Sequence, residues 1–511
     1  MKVIFVIPNL LVSYKEFAAA PYVALPLGVL SIAAFLRSVG WDGEMEVYDA
    51  RLSAKRLRNA VGEELFGDSD DEMKAFLAAS KADVIAISNM FTSQFSRALM
   101  VARLAKEVCP DCITVIGGPH VSAFPEESIK EPSVDYVVMG EGEERFYCLL
   151  ENLKKGERPV IQGVLKDESD MGLLRPNPKA RICFLQDIDS LPLPAYDMVD
   201  VERYFTLQSS GYSPRPREWG KRAVALITSR GCPHQCIFCS IHTTMGYKWR
   251  PHSVEYVMNH IRLLQDRYEI DFIHFEDDNF SHDPERYDQI IDGLLGLATS
   301  IRWDTPNGVR GDTWTRERVH KTKLSGCQYL IVAIESTSQR VIDEVVKKRL
   351  NLERVGEFIG FCNEEKLRLH AFYVIGMPGE TFDEIKGTVD TALRYYSRFG
   401  VWPTLNIAMP LPGTELHEIV TRDNYHRKQL SYGYGAIETG EFTPEKLNDL
   451  YREFTRKKVL IFVRRSFSSA SEFFYNLRLV TQHKQNVWAT ALKSVRGLIQ
   501  AESSSPGAVS L

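Results

Sequence analysis

Short aliphatic runs alternate with amphipathic stretches twice along this chain, and that rhythm restricts the fold more than any overall composition value. In the first 150 residues the runs are Val3–Ile7, Met45–Tyr48, Val84–Ser88, Ile113–Ile116 and Tyr136–Met139. Continuous apolar strands separated by helical patterns imply a parallel sheet covered on both faces. The rhythm resumes at Ala223, with strand-like runs at 223–229, 272–276, 301–304, 328–334, 368–376 and 403–409. Between these runs Val254, Val257, Ile261 and Leu264 keep helical spacing. Asp283-Pro284 offers an N-cap followed by proline, and Thr381-Phe-Asp-Glu384 is a capping box. In open α/β sheets and in barrels, ligands bind beyond the carboxyl ends of the strands. Those ends are therefore the candidate sites.

The end of the run beginning at Ala223 carries Arg230-Gly-Cys-Pro-His-Gln-Cys-Ile-Phe-Cys239, a C-x3-C-x2-C motif. Thiolates from Cys232, Cys236 and Cys239 on one turn of loop can hold three irons of a cubane iron–sulfur cluster and leave the fourth open to a small molecule. An electron-transfer ferredoxin would want a fourth cysteine close by, and zinc a fourth Cys or His at comparable spacing; neither is obvious. The alternative without chemistry is a structural metal knot or three packed thiols. Cys109-Pro-Asp-Cys112 has no second C-x2-C pair and reads as a turn between a helix and a strand.

With Phe238 just before the last cysteine, the motif resembles that of the radical S-adenosylmethionine (SAM) enzymes. The resemblance implies a 4Fe–4S cluster on Cys232, Cys236 and Cys239, at the top of a partial (β/α)6 barrel. SAM would then be bound by Phe238 and by the later strand ends. Asp278, with Asp277 beside it, would pair with the amino group. Arg310 would hold the carboxylate, Glu335 and Ser336 the ribose hydroxyls, and Gly376 would let the backbone approach adenine.

The earlier strand ends carry Pro8-Asn9, Ser88-Asn89, Gly117-Gly-Pro-His-Val-Ser122 and Gly140-Glu-Gly-Glu143, with Pro26-x-Gly28 opening the first helix. This set resembles the cobalamin-binding domain of one large radical SAM subgroup, and implies Asn9, Ser88, Gly117, Gly118, His120, Ser122, Gly140, Glu141 and Gly142 as the residues around the cobalamin. Small residues there let the backbone approach a flat macrocycle. The Asp-x-His-x-x-Gly signature of proteins that donate an axial histidine is absent, so His120 is not assigned to cobalt. The implied organisation is α/β throughout: a Rossmann-like parallel-sheet domain over 1–150, a proline-rich linker over 151–220, the partial barrel over 221–425 and a helical C-terminal region over 426–511. About the last ten residues are expected to be disordered.

The resemblance further implies an enzyme that methylates an unactivated carbon of a lipid, isoprenoid or other secondary metabolite. Some subgroup members instead perform oxidative cyclisation or ring rearrangement without methyl transfer. An external electron donor, flavodoxin or ferredoxin, is implied as partner. A formal net charge of −5 gives no drive toward nucleic acid. Nine cysteines in 511 residues do not suggest a disulfide framework, and an oxygen-sensitive cluster needs a reducing compartment, so a cytoplasmic location is expected. From Arg452 to Gln500 ten Lys or Arg face two Glu, interleaved with Val459-Leu-Ile-Phe-Val463 and Phe473-Phe-Tyr475. Such helices can lie on an anionic membrane surface at about 1 kcal/mol per basic residue, or pack against the rest of the protein.

Overall fold

The computed structural model describes residues 1–12, 23–59, 62–175, 181–209, 221–429 and 435–467. Its N-terminal sheet contains β1 (Lys2–Ile7), β2 (Glu44–Asp49), β3 (Val84–Ser88), β4 (Ile113–Gly117), β5 (Tyr136–Val138) and β6 (Val164–Leu165), in the order β2-β1-β3-β4-β5-β6. All neighbours run parallel except β5 and β6. The apolar runs divide with period two. Ile4, Val6, Ile85, Ile87 and Ile116 enter one core, with Met73, Leu77 and Leu99 from helices Asp70–Ser80 and Phe95–Val108. Val3, Phe5, Val84, Ala86 and Val115 enter another, with Val29, Ala33 and Leu149 from helices Leu27–Ser38 and Glu143–Lys155. Each fully buried aliphatic side chain there contributes about 1.5–3 kcal/mol, so a run with no polar alternate residue is stable only between two helical layers.

The second sheet contains β7 (Ala223–Leu226), β8 (Phe272–Phe275), β9 (Arg302–Val309), β10 (Cys327–Glu335), β11 (Arg368–Ile375) and β12 (Trp402–Ile407). They are all parallel and lie in chain order, the arrangement of a partial βα barrel. Outward residues such as Val224, Ile273, Trp303, Leu330 and Leu369 join the largest core, beneath helices that include Val254–Tyr268 and Pro284–Leu295. The N-cap at Asp283 and the capping box at Thr381 and Glu384 are both present. Ala223, Phe272, Tyr329, Ile331 and Phe372 form a separate cluster.

Two segments differ from the sequence expectation. The run 223–229 is not one strand: Asp277, wholly buried, accepts hydrogen bonds from Thr228 N and Thr228 Oγ1. The chain turns there, and Ser229–Arg230 pairs antiparallel with Arg250–Pro251. The proline-rich stretch after residue 151 is more than a covering: Tyr196, Val201, Tyr204 and Phe205 are buried in the barrel's own core. Tyr204 Oη donates to Asp49 Oδ2 at 2.7 Å, and Tyr196 Oη lies 2.9 Å from His260 Nε2. Helical spacing of aromatic and aliphatic residues over 201–207 outweighs the flanking prolines and ties the sheets together.

Cys109 caps the helix ending at Val108, and Cys112 N donates to Cys109 O, the expected turn. The first part of the basic tail packs: helix Pro444–Ser466 buries Leu447, Leu450, Phe454 and Phe462, and Lys458 Nζ donates to Pro403 O at 2.8 Å beneath the Trp402 ring. The tail beyond Phe467, including the end expected to be disordered, lies outside the described residues. Among the described residues no helix is long and apolar enough to cross a membrane.

Candidate active site between the two sheets

The carboxyl ends of both sheets converge, and the short helix Pro119–Ala123 packs against Ile241–Met245, the helix following the cysteine loop. That loop begins at Gly231, whose φ is +82°. A Cβ there would lie 2.5 Å from Lys248 O and 2.8 Å from Met245 O, so only glycine fits. Cys239 N donates to Cys236 O, which curls the loop so that Cys236 and Cys239 line one depression with His242, Tyr247 and Thr414. Phe238 packs beside Ile237, Val341, Met377 and Leu416, anchoring the loop to the barrel top.

Burial pushes all three thiols up, Cys236 to about 11 and Cys239 to about 12. As free groups they stay protonated at neutral pH; a bound cation such as iron would convert them to thiolates. Among the described residues no three His, Cys, Asp or Glu side chains close on a single metal-ion position. A cubane does not require that, because each thiolate meets its own iron. The donor set fits such a cluster.

The other barrel-end residues divide. Asp278 Oδ2 accepts from Gly231 N at 3.2 Å, so its carboxyl lies against the cysteine loop. Burial, reinforced by the Asp277 carboxylate, pushes it up to about 7. Asp277 itself is the buried post holding Thr228 and Ser229. Arg310 is fully engaged: Nε and Nη2 grip Asp312, Nη1 and Nη2 donate to Lys348 O and Arg349 O, and Nη1 approaches His234 Nδ1. A carboxylate ligand would have to displace one of these partners. Glu335 sits at φ +68°, a conformation costly outside glycine, and accepts from Lys348 Nζ at 2.7 Å with both side chains buried. Ser336 is wholly buried and bonded to Thr388 Oγ1 and Ser338 N, facing helix Phe382–Phe399 and not the strand-end opening. Gly376, at φ +87°, donates its N–H to Glu380 Oε2, as does Met377.

At the N-terminal sheet, Ser88 pairs in register with Gly117. Among the described residues a Cβ on Gly117 would meet Val138 O at 3.5 Å and Val138 Cβ at 4.0 Å, ordinary contacts, so the protein's own packing does not demand this glycine. Gly118 differs: at φ +124° its Cβ would lie 2.3 Å from Asn89 O. Ser122 Oγ donates to Gly118 O at 2.8 Å and accepts from Gly140 N at 2.8 Å, joining the two glycine turns. His120 is buried against Phe95 and Phe124; Nδ1 lies 3.2 Å from Thr92 Oγ1, and Nε2 is buried with no partner among the described residues. Burial lowers it to about 4, so the ring is neutral at physiological pH. Bare strand-end backbone and one orphaned imidazole nitrogen fit a large ligand such as a corrinoid.

Two residues expected beside that ligand are engaged by protein partners. Asn9 is fully buried, its amide bonded to Asp68 O and Arg97 Nε. Glu141 is locked onto Arg230 and Arg250, while Gly142 begins the following helix. Sequence reasoning missed Lys348 and Arg250; a lysine or arginine outside a motif carries no local signal of burial.

Residues 17–150 match the B12 binding domain family, and residues 226–392 match the radical SAM superfamily. Cytidylyl-2-hydroxyethylphosphonate methyltransferase of Streptomyces wedmorensis is 28% identical over 478 residues, 85% of this chain and 86% of that one. Anaerobic magnesium-protoporphyrin IX monomethyl ester cyclase of Rubrivivax gelatinosus is 22% identical, covering 90% of this chain and 78% of its own. The radical SAM methyltransferase TsrM of Kitasatospora setae, solved with cobalamin and a [4Fe–4S] cluster bound, superimposes with a TM-score of 0.68 at 13% identity, covering 94% of this chain and 98% of its own.

Proposed function

We propose that this chain, which belongs to the cobalamin-binding radical SAM superfamily, methylates an unactivated carbon of a small molecule. The observation that carries this reading is the meeting of two strand-end sites, a three-thiol loop and a glycine cradle, across one short helix contact. Its cofactors are a 4Fe–4S cluster, SAM and cobalamin, which supply one-electron and methyl-group chemistry when bound. Cys232, Cys236 and Cys239 would hold the cluster. Asp278 would pair with the amino group of SAM once ionised. Glu335, held by Lys348, would face the ribose, and the turn from Gly376 to Glu380 would border the adenine. Gly117, Gly118 and the Ser122–Gly140 link would cradle the corrinoid. Phe238 and the apolar cluster it packs against would keep water from the back of the loop.

The substrate class we favour is a lipid, isoprenoid or other secondary metabolite. Met90 and Phe91, just past the end of β3, and Ile227, just past the end of β7, are large apolar side chains left exposed at the two strand-end faces. An external flavodoxin or ferredoxin would supply the electron. A membrane contact through the basic tail would rest chiefly on residues after 467. The cyclase relative supports a second reading, cyclisation or rearrangement without methyl transfer. Anaerobically purified protein loaded with cobalamin, given methyl-labelled SAM and extracts of cells lacking the gene, tests both. Label in a new metabolite supports methylation; a new unlabelled cyclised product with SAM cleavage rejects it for the alternative.

A further inference from the structure

Four charged side chains meet between the two sheets, Glu141, Glu143 and Arg250 buried and Arg230 partly buried, and ligand binding does not account for them. Glu141 and Glu143 leave the loop that follows β5, whereas Arg230 and Arg250 occupy the paired segments bracketing the cysteine loop. Glu141 Oε1 accepts from Arg250 Nη1 at 2.8 Å and from Arg230 Nη1 at 3.1 Å; Oε2 accepts from Leu185 N and again from Arg250. Glu143 Oε1 accepts from Arg230 Nη2 at 2.7 Å and from Ser31 Oγ at 2.8 Å. Glu141, Glu143 and Arg250 are respectively 5%, 3% and 2% exposed.

Two negative and two positive charges balance, so the group is self-compensated. Desolvation largely offsets the attraction in such clusters, and their best-attested use is to specify one geometry over its neighbours. The connections at either end show which geometry. Arg230 immediately precedes Gly231 and Cys232, and Arg250 Nη2 donates to Met245 O, so both ends of the cysteine loop are tied to the quartet. On the opposite side Gly140, adjacent to Glu141, donates to Ser122 Oγ, which donates to Gly118 O. Short hydrogen bonds thus run from the glycine cradle to the thiol loop through Glu141 and Arg230. Arginine suits this task because its planar fork fixes direction as well as distance.

We infer that Glu141, Glu143, Arg230 and Arg250 are positioning residues that set the spacing between the corrinoid cradle and the cluster loop. The inference rests on the cofactor sites proposed above. Its test uses the full-length protein, reconstituted with iron and sulfide, loaded with hydroxocobalamin and reduced, so that cluster and cobalt are both paramagnetic. Pulsed EPR then reads the cluster-to-cobalt distance distribution in wild type, Glu141→Gln and Arg250→Lys. Both variants should keep wild-type iron and corrinoid content while the distribution shifts or broadens, and the cysteine-loop amides should exchange faster with deuterium. Arg250→Lys keeps the charge and loses only the fork, so it separates geometry from electrostatics. Wild-type distributions in both variants would overturn the inference. Failure of both to fold would also overturn it, because the quartet would then be holding the fold and not a spacing. If wild type itself takes up no hydroxocobalamin, the corrinoid reading fails first and this inference with it.

Discussion

The two strand-end sites are built from different materials. At the N-terminal sheet the chain offers backbone: Gly117, Gly118 and Gly140, linked by one serine hydroxyl, with the nearby charges turned away into the buried quartet. At the barrel it offers charged side chains, each already engaged by a neighbour: Arg310 by Asp312, Glu335 by Lys348 and Asp278 by Gly231 N. Bare backbone suits a large, nearly neutral surface bound over many weak contacts. Engaged charges suit a small zwitterion that takes over existing partners, because an unpartnered charge in a buried site would be costly. The difference teaches that substitutions at the cradle should act through shape and those at the barrel through charge.

The largest break should come at the barrel loop. Cys236→Ala removes one of three thiols and should abolish both the iron–sulfur absorption and the formation of 5′-deoxyadenosine from SAM, with circular dichroism unchanged. A variant still producing 5′-deoxyadenosine would remove the chemical basis of the comparison. Gly231→Ala should come next, since its Cβ would meet three carbonyl oxygens within 3.0 Å at φ +82°. Strain of this kind costs about 1–3 kcal/mol, and incomplete cluster loading with a lowered melting temperature should report it.

A contrast within the cradle sharpens the shape argument. Gly117→Val points its bulk where only Val138 is near among the described residues, and should lower co-purifying corrinoid several-fold without affecting iron content. Gly118→Val collides with Asn89 O and should destabilise the domain itself, so only the first variant isolates ligand fit. Equal corrinoid in Gly117→Val and wild type would remove that glycine from the site.

A smaller effect concerns charge. Asp278 has a folded-state value raised to about 7, so the folded protein holds its proton where the unfolded chain releases it. Its contribution to stability is therefore complete below the ordinary carboxyl value and is lost as pH rises through about 7. With Asp278 pairing with the SAM ammonium as proposed, binding should strengthen over the same rise. Calorimetry should find that slope in wild type and lose it in Asp278→Asn; an identical slope in both would assign the titration elsewhere. The smallest effect is expected from the tail. With Leu447, Leu450, Phe454 and Phe462 buried against the barrel, helix Pro444–Ser466 should not bring the full-length protein down with anionic vesicles at physiological salt. Co-sedimentation that disappears at high salt would move the lipid surface into the function.

The sequence alone determined what local chemistry can write. Alternating apolar runs marked the parallel strands of both sheets, since a strand buried on two faces is mostly apolar; the buried His274–Asp304 pair of β8 and β9 is the kind of exception that such runs do not announce. Caps at Asp283 and Thr381 fixed helix starts, and the cysteine spacing fixed the loop. Only the tertiary structure decided which polar residues remain available. Glu141, Asn9, Asp277 and Ser336 stand at strand ends in the sequence, yet each is engaged by partners distant along the chain: Arg250, Arg97, Thr228 and Thr388. Lys348 and Arg250 became visible for the same reason. Most of these contacts depend on how elements pack within one sheet domain, and that of Glu141 with Arg250 on how the two sheets meet; no local pattern encodes either packing.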